Sequence, residues 1–380
     1  MKVFIVAGEA SGDQLGARLL ADFRRLRPDI EVRGIGGGAL AIEGLQSIFP
    51  MQELSLMGLA EILPKIPNIL KRLDDTIKTI YEFQPDVVLT IDVPDFSKRL
   101  ARRLQPLRRT GKVKLVHYVA PTVWAWRPGR AKTTAKLFDH LLCLFPFEPP
   151  YFEKVGLPAT FVGHPIAMNQ PRGDAARLRE KLNIRADQPV ICLLSGSRAG
   201  EVKKLLPIFL ETFVRLKKQL PDLVSVLPSL AHLQPLIEEM TGQENNVYIL
   251  TDPQDKWDAF AMAAEQGGAI AASGTVTLEL AQAGCPHIIA YKVHPITHWI
   301  VKQLYQLPFV NLVNILANRL VVPEILQDDV TVENLVNAYH SIIQNTAMQK
   351  SAFAEQLQKL AAEPKDAATR IIITQLEGNY

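Results

Sequence analysis

A short turn that carries one arginine lies between an apolar segment and an amphipathic segment near the middle of the chain. Val190–Leu194 is five apolar residues long, too short for a helix, and predicts a buried strand. The turn consists of Ser195, Gly196 and Ser197, and apolar residues recur at helical spacing from Ala199 onward. A helix that begins just past a parallel strand presents unpaired N–H groups and a positive dipole end, which together bind phosphate. This stretch therefore predicts a phosphate-binding turn.

An arginine and a second glycine turn favour the same chemistry. Arg198 follows the first turn, where both arms of its guanidinium could contact a phosphate. The alternative is a helix-capping turn with a solvated arginine. The second turn, Ser273-Gly274-Thr275, lies between a predicted strand, 268–272, and a predicted helix, 276–283. Glu279 lies one turn into that helix, where its carboxylate can accept hydrogen bonds from a ribose diol.

Two aspartates follow another predicted buried strand, residues 86–91. Carboxyl ends of parallel strands face the crevice in which such sheets bind ligands, so a carboxylate there suits a general acid or base. Strand alternation predicts that Asp92 is the last side chain aimed by the strand, because Pro94 ends the ladder. Asp95 is expected to cap a helix over 97–104. We therefore assign the acid–base role to Asp92, with Glu9 or His164 as the next candidates.

The loop 120–130 contains two tryptophans, two prolines and two arginines. Such a loop is rigid, and its aromatic and cationic side chains suit a sugar or a phosphate. Its candidate contacts are Trp124, Trp126 and Arg127, and a loop that only packs is the alternative. His164 follows a predicted strand, 160–163, and is either a ligand contact or a turn residue.

Strands and helices must position these turns. The sequence predicts two series in which strands and helices alternate. The alternation predicts the α/β class, with two Rossmann-like domains that are each built on a parallel sheet. The predicted domains are residues 1–165 and 190–330, joined by a polar linker, 166–189, and followed by C-terminal helices, 331–380. With 380 residues, of which 48% are hydrophobic, the chain is large enough for two cores.

The first half also carries features that suit an anionic, partly apolar partner. Residues 98–136, the basic run, contain twelve Lys or Arg and no Asp or Glu, which favours phosphate head groups or nucleic acid over an ordinary solvated face. Residues 55–73 have helical apolar spacing interrupted by Pro64 and Pro67, which predicts a broken or kinked helix. Its apolar face is either a core contact or an exposed surface for acyl chains. The residues of this apolar lip are Met57, Leu59, Ile62, Leu63 and Ile66.

The composition argues against several classes of protein. Cys143, Cys192 and Cys285 lie in apolar surroundings without metal-ligand spacing, which predicts small core residues in a reducing compartment. No metal or cofactor is expected. The first residues are too short an apolar run for a signal peptide, and no run approaches the ~20 apolar residues of a spanning helix. We expect a cytoplasmic protein that does not span the membrane.

Nine segments, in order along most of the chain, resemble those of the lipid-A-disaccharide synthase family, inverting glycosyltransferases of the two-domain GT-B class. HYVAP-VWAWR is the longest and most specific of them. The segments are GEASGD, MGLAEIL, IDVPDF, HYVAPTVWAWRPGR, FPFE, GHP, GSRAGEV, ASGTVTLE and NILANRLVVPEILQ.

The resemblance implies a GT-B fold, in which the two domains face a central cleft, and a specific reaction. UDP-2,3-diacylglucosamine would donate its sugar to 2,3-diacylglucosamine 1-phosphate (lipid X), giving the disaccharide 1-phosphate and UDP. It implies Asp92 as the base on the acceptor 6-hydroxyl and Arg198 as the contact of the donor diphosphate. The expected substrate contacts are Glu9, Ser11, Gly12, Trp124, Trp126, Arg127, His164, Ser197, Ser273, Gly274, Thr275, Glu279 and Asn314.

The same resemblance implies where the protein works. We expect a peripheral protein that binds an anionic membrane surface, on the inner face of the bacterial inner membrane, and that does not bind nucleic acid. A homodimer is left open.

Two other kinds of protein share parts of this pattern. A UDP-N-acetylglucosamine 2-epimerase or a peptidoglycan-type glycosyltransferase would have the same fold, but neither accounts for HYVAP-VWAWR. A non-catalytic binder of anionic lipid or nucleic acid would need the basic run. It would not need Asp92, Arg198 and Glu279 at three separate strand ends.

Overall fold

The computed structural model describes residues 1–54, 59–124, 129–168, 172–242, 246–292 and 307–377, without the side chains of residues 59–66. The chain forms two compact units, Met1–Pro165 with Leu360–Tyr380, and Ile166–Lys359. Each unit contains a six-stranded parallel sheet with helices connecting its strands. The predicted α/β class with two Rossmann-like sheets is therefore confirmed.

In the first unit the strand order is β2-β1-β3-β4-β5-β6, all parallel. The strands are β1 Lys2–Ala7, β2 Glu31–Ile35, β3 Val87–Ile91, β4 Lys114–Tyr118, β5 His140–Cys143 and β6 Ala159–Phe161. The helices are α1 Ala10–Leu26, α2 Gly38–Ile42, α3 Leu59–Phe83, α4 Pro94–Arg103, α5 Gln105–Arg109, α6 Gly129–Ala135 and α7 Pro149–Glu153, followed late in the chain by the C-terminal helix Ala367–Glu377.

In the second unit the order is β12-β11-β10-β7-β8-β9, again all parallel. The strands are β7 Val190–Leu194, β8 Val224–Pro228, β9 Val247–Leu250, β10 Gly267–Ala271, β11 His287–Tyr291 and β12 Glu324–Leu326. The helices are α8 Pro165–Met168, which begins at the boundary, α9 Ala175–Leu182, α10 Ala199–Gln219, α11 Gln234–Thr241, α12 Pro253–Glu265, α13 Val276–Gln282, and then Leu312–Ala317, Val332–Gln344 and Thr346–Lys359.

The central strands β3 and β7 are buried along their whole length. Every residue of β3 and of β7 is buried, so neither strand shows the alternation of a half-exposed strand. Cys143, Cys192 and Cys285 are buried and free, which confirms them as core residues. Among the described residues, no three His, Cys, Asp or Glu side chains are grouped to hold a metal ion. None of the described helices is both long enough and apolar enough to cross a membrane.

Each sheet has a topological switch point, where the chain leaves one strand to build the sheet in both directions. In the first unit β1 lies between β2 and β3, and Ala7 pairs with Ile91 at their carboxyl ends. In the second unit β7 lies between β8 and β10, and Leu194 pairs with Ala271. Open parallel sheets bind ligands outside the strand ends at such points. The turns after β1, β3, β7 and β10 are therefore the expected ligand sites.

Two helices in the first unit begin or run differently from the prediction, and the start of a third places two candidate contacts. The helix α1 starts at Ala10, so Ser11 and Gly12 lie in its first turn. The helix α4 starts at Pro94, which suits a first helical position because its missing N–H would have no partner there. The helix α3 is continuous through both of its prolines, and residues further along it, Leu73 and Ile80, belong to the core of the first unit.

The segments at the predicted domain boundaries pack against one unit or the other. Within the predicted linker, α9 packs on α12, and Arg177 Nε donates to Asp258 at 2.6 Å. The C-terminal helix buries Ile372 in the core of the first unit. Just before it, Asp366 accepts hydrogen bonds from Arg25 at 2.6 Å and from Arg370 at 2.7 Å, which lowers its pKa to about 2. Residues 166–189 therefore group with the second unit, and the last helix groups with the first.

Candidate active site

The backbone at Asp92 is left-handed and is held from two sides. Asp92 has φ 55° and Val93 has φ 47°, values that a β-branched residue rarely adopts. The Asp92 N–H donates to the carbonyl of Tyr118, at the end of β4, at 2.9 Å. The Ser97 hydroxyl donates to the Asp92 carbonyl at 2.9 Å. A strained turn fixed by its neighbours therefore positions Asp92, and the prediction that strand alternation aims it is wrong.

The structure brings Glu9 and Asp92 together at the first switch point. Burial raises the pKa of Asp92. Burial, and then the charge of Asp92, raise the pKa of Glu9. The two carboxyls therefore titrate as a coupled pair. Among the described residues no cation contributes to either shift, and desolvated carboxyls of this kind are suited to proton transfer.

Asp95 does not cap a helix. It is exposed in the first turn of α4, the N-cap position belongs to Val93, and no side chain makes a capping hydrogen bond there. The predicted cap is therefore wrong, because α4 begins three residues earlier than expected. Its carboxylate still interacts with the helix dipole, an effect of about 0.3–1 kcal/mol at the surface.

The first turn of α1 combines one exposed residue and two buried residues. Ser11 is exposed, whereas Gly12 is buried against Ile91 of β3 and allows the helix to approach the strand. Asp13 accepts hydrogen bonds from the N–H groups of Gly37 at 2.7 Å and Ala39 at 2.8 Å. Asp13 thus holds the glycine turn after β2. Sequence reasoning missed this role, although the residue ends the GEASGD segment.

An aromatic cluster gathers two of the predicted contacts beyond the ends of β4 and β5. Trp124 is 7% exposed and packs edge-on against Phe147, with ring centroids 5.1 Å apart. Its Nε1 donates to Glu148 at 3.1 Å. His164 lies 5.1 Å from the ring of Phe145, and burial lowers its pKa to about 4, so it is neutral at pH 7. Trp126 and Arg127 lie outside the described residues.

In the second unit a carboxylate already occupies the predicted phosphate-binding turn. Glu201 accepts the Ser197 N–H at 3.1 Å and a guanidinium N–H of Arg198 at 3.2 Å. Gly196 has φ 117°, and a Cβ there would collide with Glu201, so only glycine suits the position. A phosphate at this turn would have to displace Glu201. The signal that sequence reasoning missed is a glutamate three residues after the N-cap.

The turn after β10 is open, and the acid beyond it is paired. Gly274 and Thr275 are exposed and Ser273 is half-buried. Lys256 Nζ donates to both carboxylate oxygens of Glu279, at 2.8 and 2.7 Å. Sequence reasoning missed Lys256, which lies on α12 and has no motif around it. The Lys256–Glu279 pair fixes the orientation of the Glu279 carboxylate.

Asn314 has a structural role. Its side chain is fully buried. Its Oδ1 accepts the N–H groups of Val321 and Val322, and its Nδ2 donates to the Val322 carbonyl and to Glu324, all at 2.8 Å. With these four bonds Asn314 ties the helix Leu312–Ala317 to β12. The substrate contact expected at this position does not fit a side chain whose hydrogen-bonding groups are all used internally.

Comparison with known sequences identifies the family to which the chain belongs. Residues 3–372 match the lipid-A-disaccharide synthetase family. The chain belongs to this family. A lipid-A-disaccharide synthase from Rhodospirillum centenum is 47% identical over 359 residues, which cover 93% of this chain and 87% of the relative. One from Ruegeria pomeroyi is 41% identical over 390 residues, covering 100% of this chain and 96% of the relative. As a lipid-A-disaccharide synthase family member, the chain is a hexosyltransferase.

Solved structures with a similar fold are more distant in sequence. A complex of S. aureus MnaA with UDP has a TM-score of 0.67 at 13% identity, covering 99% of this chain and 96% of that one. A UDP-GlcNAc 2-epimerase from Neisseria meningitidis scores 0.61 at 14% identity with full coverage of both chains. The glycotransferase of kitacinnamycin scores 0.64 at 16% identity, covering 99% of each chain. These likenesses show the fold alone, and they confirm the GT-B class.

For a lipid-A-disaccharide synthase, the remaining features are the basic run and the apolar lip. Acids outside the run neutralise part of it: Arg103 pairs with Asp74 at 2.8 Å and Arg108 with Asp139 at 2.9 Å. Burial, and then the charge of Arg130, lower the pKa of Lys98. Met57 lies outside the described residues, as do the side chains of Leu59, Ile62, Leu63 and Ile66. Leu70, further along the same helix, is 42% exposed.

Proposed function

We propose that this chain is a lipid-A-disaccharide synthase that transfers 2,3-diacylglucosamine from UDP to lipid X, forming the disaccharide 1-phosphate and UDP. The observation that carries the proposal is the family match over residues 3–372, which spans nearly the whole chain. The pair of desolvated carboxyls beside β1 and β3 supports it, because transfer to a hydroxyl requires a base.

Asp92 is the general base in this proposal. It removes the proton of the acceptor 6-hydroxyl as that oxygen attacks the anomeric carbon of the donor. Burial makes Asp92 a stronger base than a solvated aspartate, and the hydrogen bonds around its backbone hold it in place before the substrate binds. Attack from the side opposite to the departing UDP inverts the anomeric centre.

Arg198 and the turn at Ser197 stabilise the leaving group. Negative charge collects on the UDP diphosphate as its bond to the anomeric carbon breaks, and donors that are already oriented stabilise that charge most effectively. Glu201 must move away from Ser197 and Arg198 for the diphosphate to take its place. Glu279, held by Lys256, accepts from the ribose hydroxyls next to the open turn Ser273-Gly274-Thr275.

The enzyme works at an anionic membrane surface. Both proposed substrates carry acyl chains and phosphate, which suit the apolar lip and the basic run. We expect sedimentation with anionic vesicles at low salt and weaker binding at high salt, because head-group attraction is screened whereas apolar burial is not. Equal binding to neutral and anionic vesicles would contradict the part assigned to the basic run.

The test of the function is a reaction with purified protein. With UDP-2,3-diacylglucosamine and lipid X we expect stoichiometric UDP and a tetraacyl disaccharide 1-phosphate, identified by mass spectrometry. The control is UDP-N-acetylglucosamine alone, for which we expect no 2-epimer. Epimer formation without disaccharide would overturn the proposal in favour of an epimerase, and vesicle binding with neither product would favour a binding protein.

A further inference from the structure

Glu148 is a buried carboxyl that has no role in the reaction proposed above. Its side chain, between β5 and α7, is 3% exposed. Trp124 Nε1 donates to its Oε1 at 3.1 Å, while the N–H groups of Leu144 and Phe145 donate to its Oε2 at 3.1 and 3.0 Å. All three partners are donors. An amide in this place would therefore leave one of them without an acceptor, and the proton of a protonated carboxyl would face only donors.

These bonds connect two loops that leave neighbouring strands. The segment 119–124 leaves β4 beside Asp92, whose N–H donates to the carbonyl of Tyr118. Its first residue, Val119, has φ 77° and donates its N–H to Leu142 of β5 at 3.1 Å. Its last residue, Trp124, is bound by Glu148. The segment is thus fixed beside the proposed base at one end and by Glu148 at the other.

The other described contacts of the Trp124 ring are not directional. Its centroid lies 6.4 Å from that of Phe145 and 5.1 Å from that of Phe147, both edge-on. Contacts between rings tolerate sliding and rotation, whereas a hydrogen bond weakens steeply as its angle departs from linear. The bond to Glu148 therefore fixes the orientation of the indole.

We propose that Glu148 is a positioning residue that holds Trp124 and the segment 119–124, so that the acceptor sugar is aligned with Asp92. The identity of the acceptor rests on the proposed function. Glu148 acts through Trp124 and does not touch the reacting atoms.

Proton binding to Glu148 would weaken this hold near neutral pH. Burial raises its pKa to about 7, against the opposing effect of its three hydrogen bonds. The titratable and charged groups on the elements packed around it are His140, Cys143, Tyr151, Glu153, His164, Arg130 and Lys132. Burial lowers the pKa of His164 to about 4 and raises that of Cys143, so both are neutral at pH 7.

A double-mutant cycle tests the proposal. Glu148→Gln can keep an oxygen toward Leu144 and Phe145 but then turns its amide N–H toward the indole N–H. We expect kcat/KM for lipid X to fall about tenfold in this variant, the effect of one unpaired buried donor. In the Trp124→Phe background, which lacks the indole donor, the same change should cost less than about twofold. KM for the UDP donor should stay unchanged. If Glu148→Gln lowers kcat/KM equally in the wild type and in Trp124→Phe, Glu148 acts only on the 144–148 turn and the proposal is overturned. The same conclusion follows if the two substitutions are coupled in melting temperature but not in kcat/KM.

A second measurement needs no substrate and separates this inference from the proposed function. The fluorescence of Trp124, taken as wild type minus Trp124→Phe, should titrate with a midpoint near pH 7 and lose that transition in Glu148→Gln. Glu153→Gln, exposed on the neighbouring helix, is the matched control and should keep both the transition and the kinetics. If the wild type forms no disaccharide, the proposed function fails while this titration still decides the role of Glu148. A transition that survives in Glu148→Gln overturns it.

Discussion

The two switch points of the molecule hold their charges in opposite ways. At the ends of β1 and β3, Glu9 and Asp92 are carboxyls whose pKa values are raised by burial, and no described cation offsets that effect. At the ends of β7 and β10, Glu201 is bonded to Arg198, and Lys256 neutralises Glu279. In the proposed function, the first switch point transfers a proton without rearrangement. The second exchanges an internal partner for the diphosphate.

The two switch points also differ in how firmly the proposed catalytic side chain is held. Asp92 lies in a strained turn that is fixed by hydrogen bonds with β4 and α4, whereas the side chain of Arg198 is 80% exposed and contacts Glu201 at 3.2 Å. A preorganised group contributes to the chemical step, and a group that must release a partner contributes to ligand affinity as well. Substitutions at the first switch point should therefore lower kcat, and some at the second should change KM.

The largest expected effect is that of Asp92→Asn. We expect turnover to fall about 10²- to 10⁴-fold, the usual contribution of a general base. The melting temperature should be unchanged or higher, because burial disfavours the charge that is removed. Steady-state kinetics and thermal unfolding measure the two effects. The control, Asp95→Asn, alters an exposed residue of the same acidity and should keep activity within about twofold. If Asp92→Asn kept its activity and Asp95→Asn lost it, Asp95 would be the general base.

The second-largest expected effect is that of Arg198→Ala. Loss of one donor to the developing charge lowers kcat about 10²- to 10³-fold. Because the side chain is exposed and its one ion pair lies at the surface, the melting temperature should stay the same. Arg185→Ala, which removes a surface arginine with an acidic partner in the same unit, is the matched control and should leave kcat unchanged. Wild-type turnover in Arg198→Ala would mean that Arg198 does not stabilise the departing diphosphate.

Glu201→Gln tests whether the second switch point must give up its internal carboxylate. Removing that charge should lower the inhibition constant of UDP about two- to fivefold, the range of a surface ion pair. Product-inhibition kinetics provide the measurement. Weaker inhibition by UDP would mean that Glu201 contacts the nucleotide itself. The second switch point would then not need to release Glu201 before it binds its ligand.

The smallest expected effect concerns stability in mildly acidic solution. A carboxyl whose folded pKa is raised contributes stability below its unfolded pKa, and that contribution is lost as the pH rises through the folded pKa. Asp92 and Glu9 should both act in this sense above about pH 4, whereas buried His117, His164 and His287, whose pKa values are lowered to about 4, make stability rise with pH over the same range. The contribution of the carboxyls is therefore measured as the difference between the wild type and Asp92→Asn. The melting temperature of Asp92→Asn should gain on that of the wild type as the pH rises above about 4, and a difference that does not change with pH would contradict the raised pKa of Asp92.

The sequence predicted elements well where a local pattern decides them. The strand β7 has the predicted bounds because five apolar residues are followed directly by turn residues. The start of α4 was missed because Pro94 was interpreted as the end of a strand, although it also suits a first helical position. Both outcomes depend on residues within a few positions of each other.

Parts of the site that depend on distant partners could not be predicted in this way. The left-handed conformation of Asp92 depends on a carbonyl 26 residues away, at Tyr118. The FPFE segment marks Glu148 but does not reveal its partner, Trp124, 24 residues earlier. The structural role of Asn314 required knowledge of β12, a three-residue strand that the sequence analysis did not identify.

The return of the C-terminal helix to the first unit has a consequence for how the protein is made. Ala367–Glu377 packs against α1 and β4, and Ala368 and Ile372 belong to the same core as β1 and β3. A ribosome releases residues 166–359 before it releases this helix. The second unit can therefore complete its core during synthesis, whereas the first keeps an apolar surface exposed for that whole interval. Contact of that surface with chaperones or other nascent chains should be limited to the period before the last residues emerge.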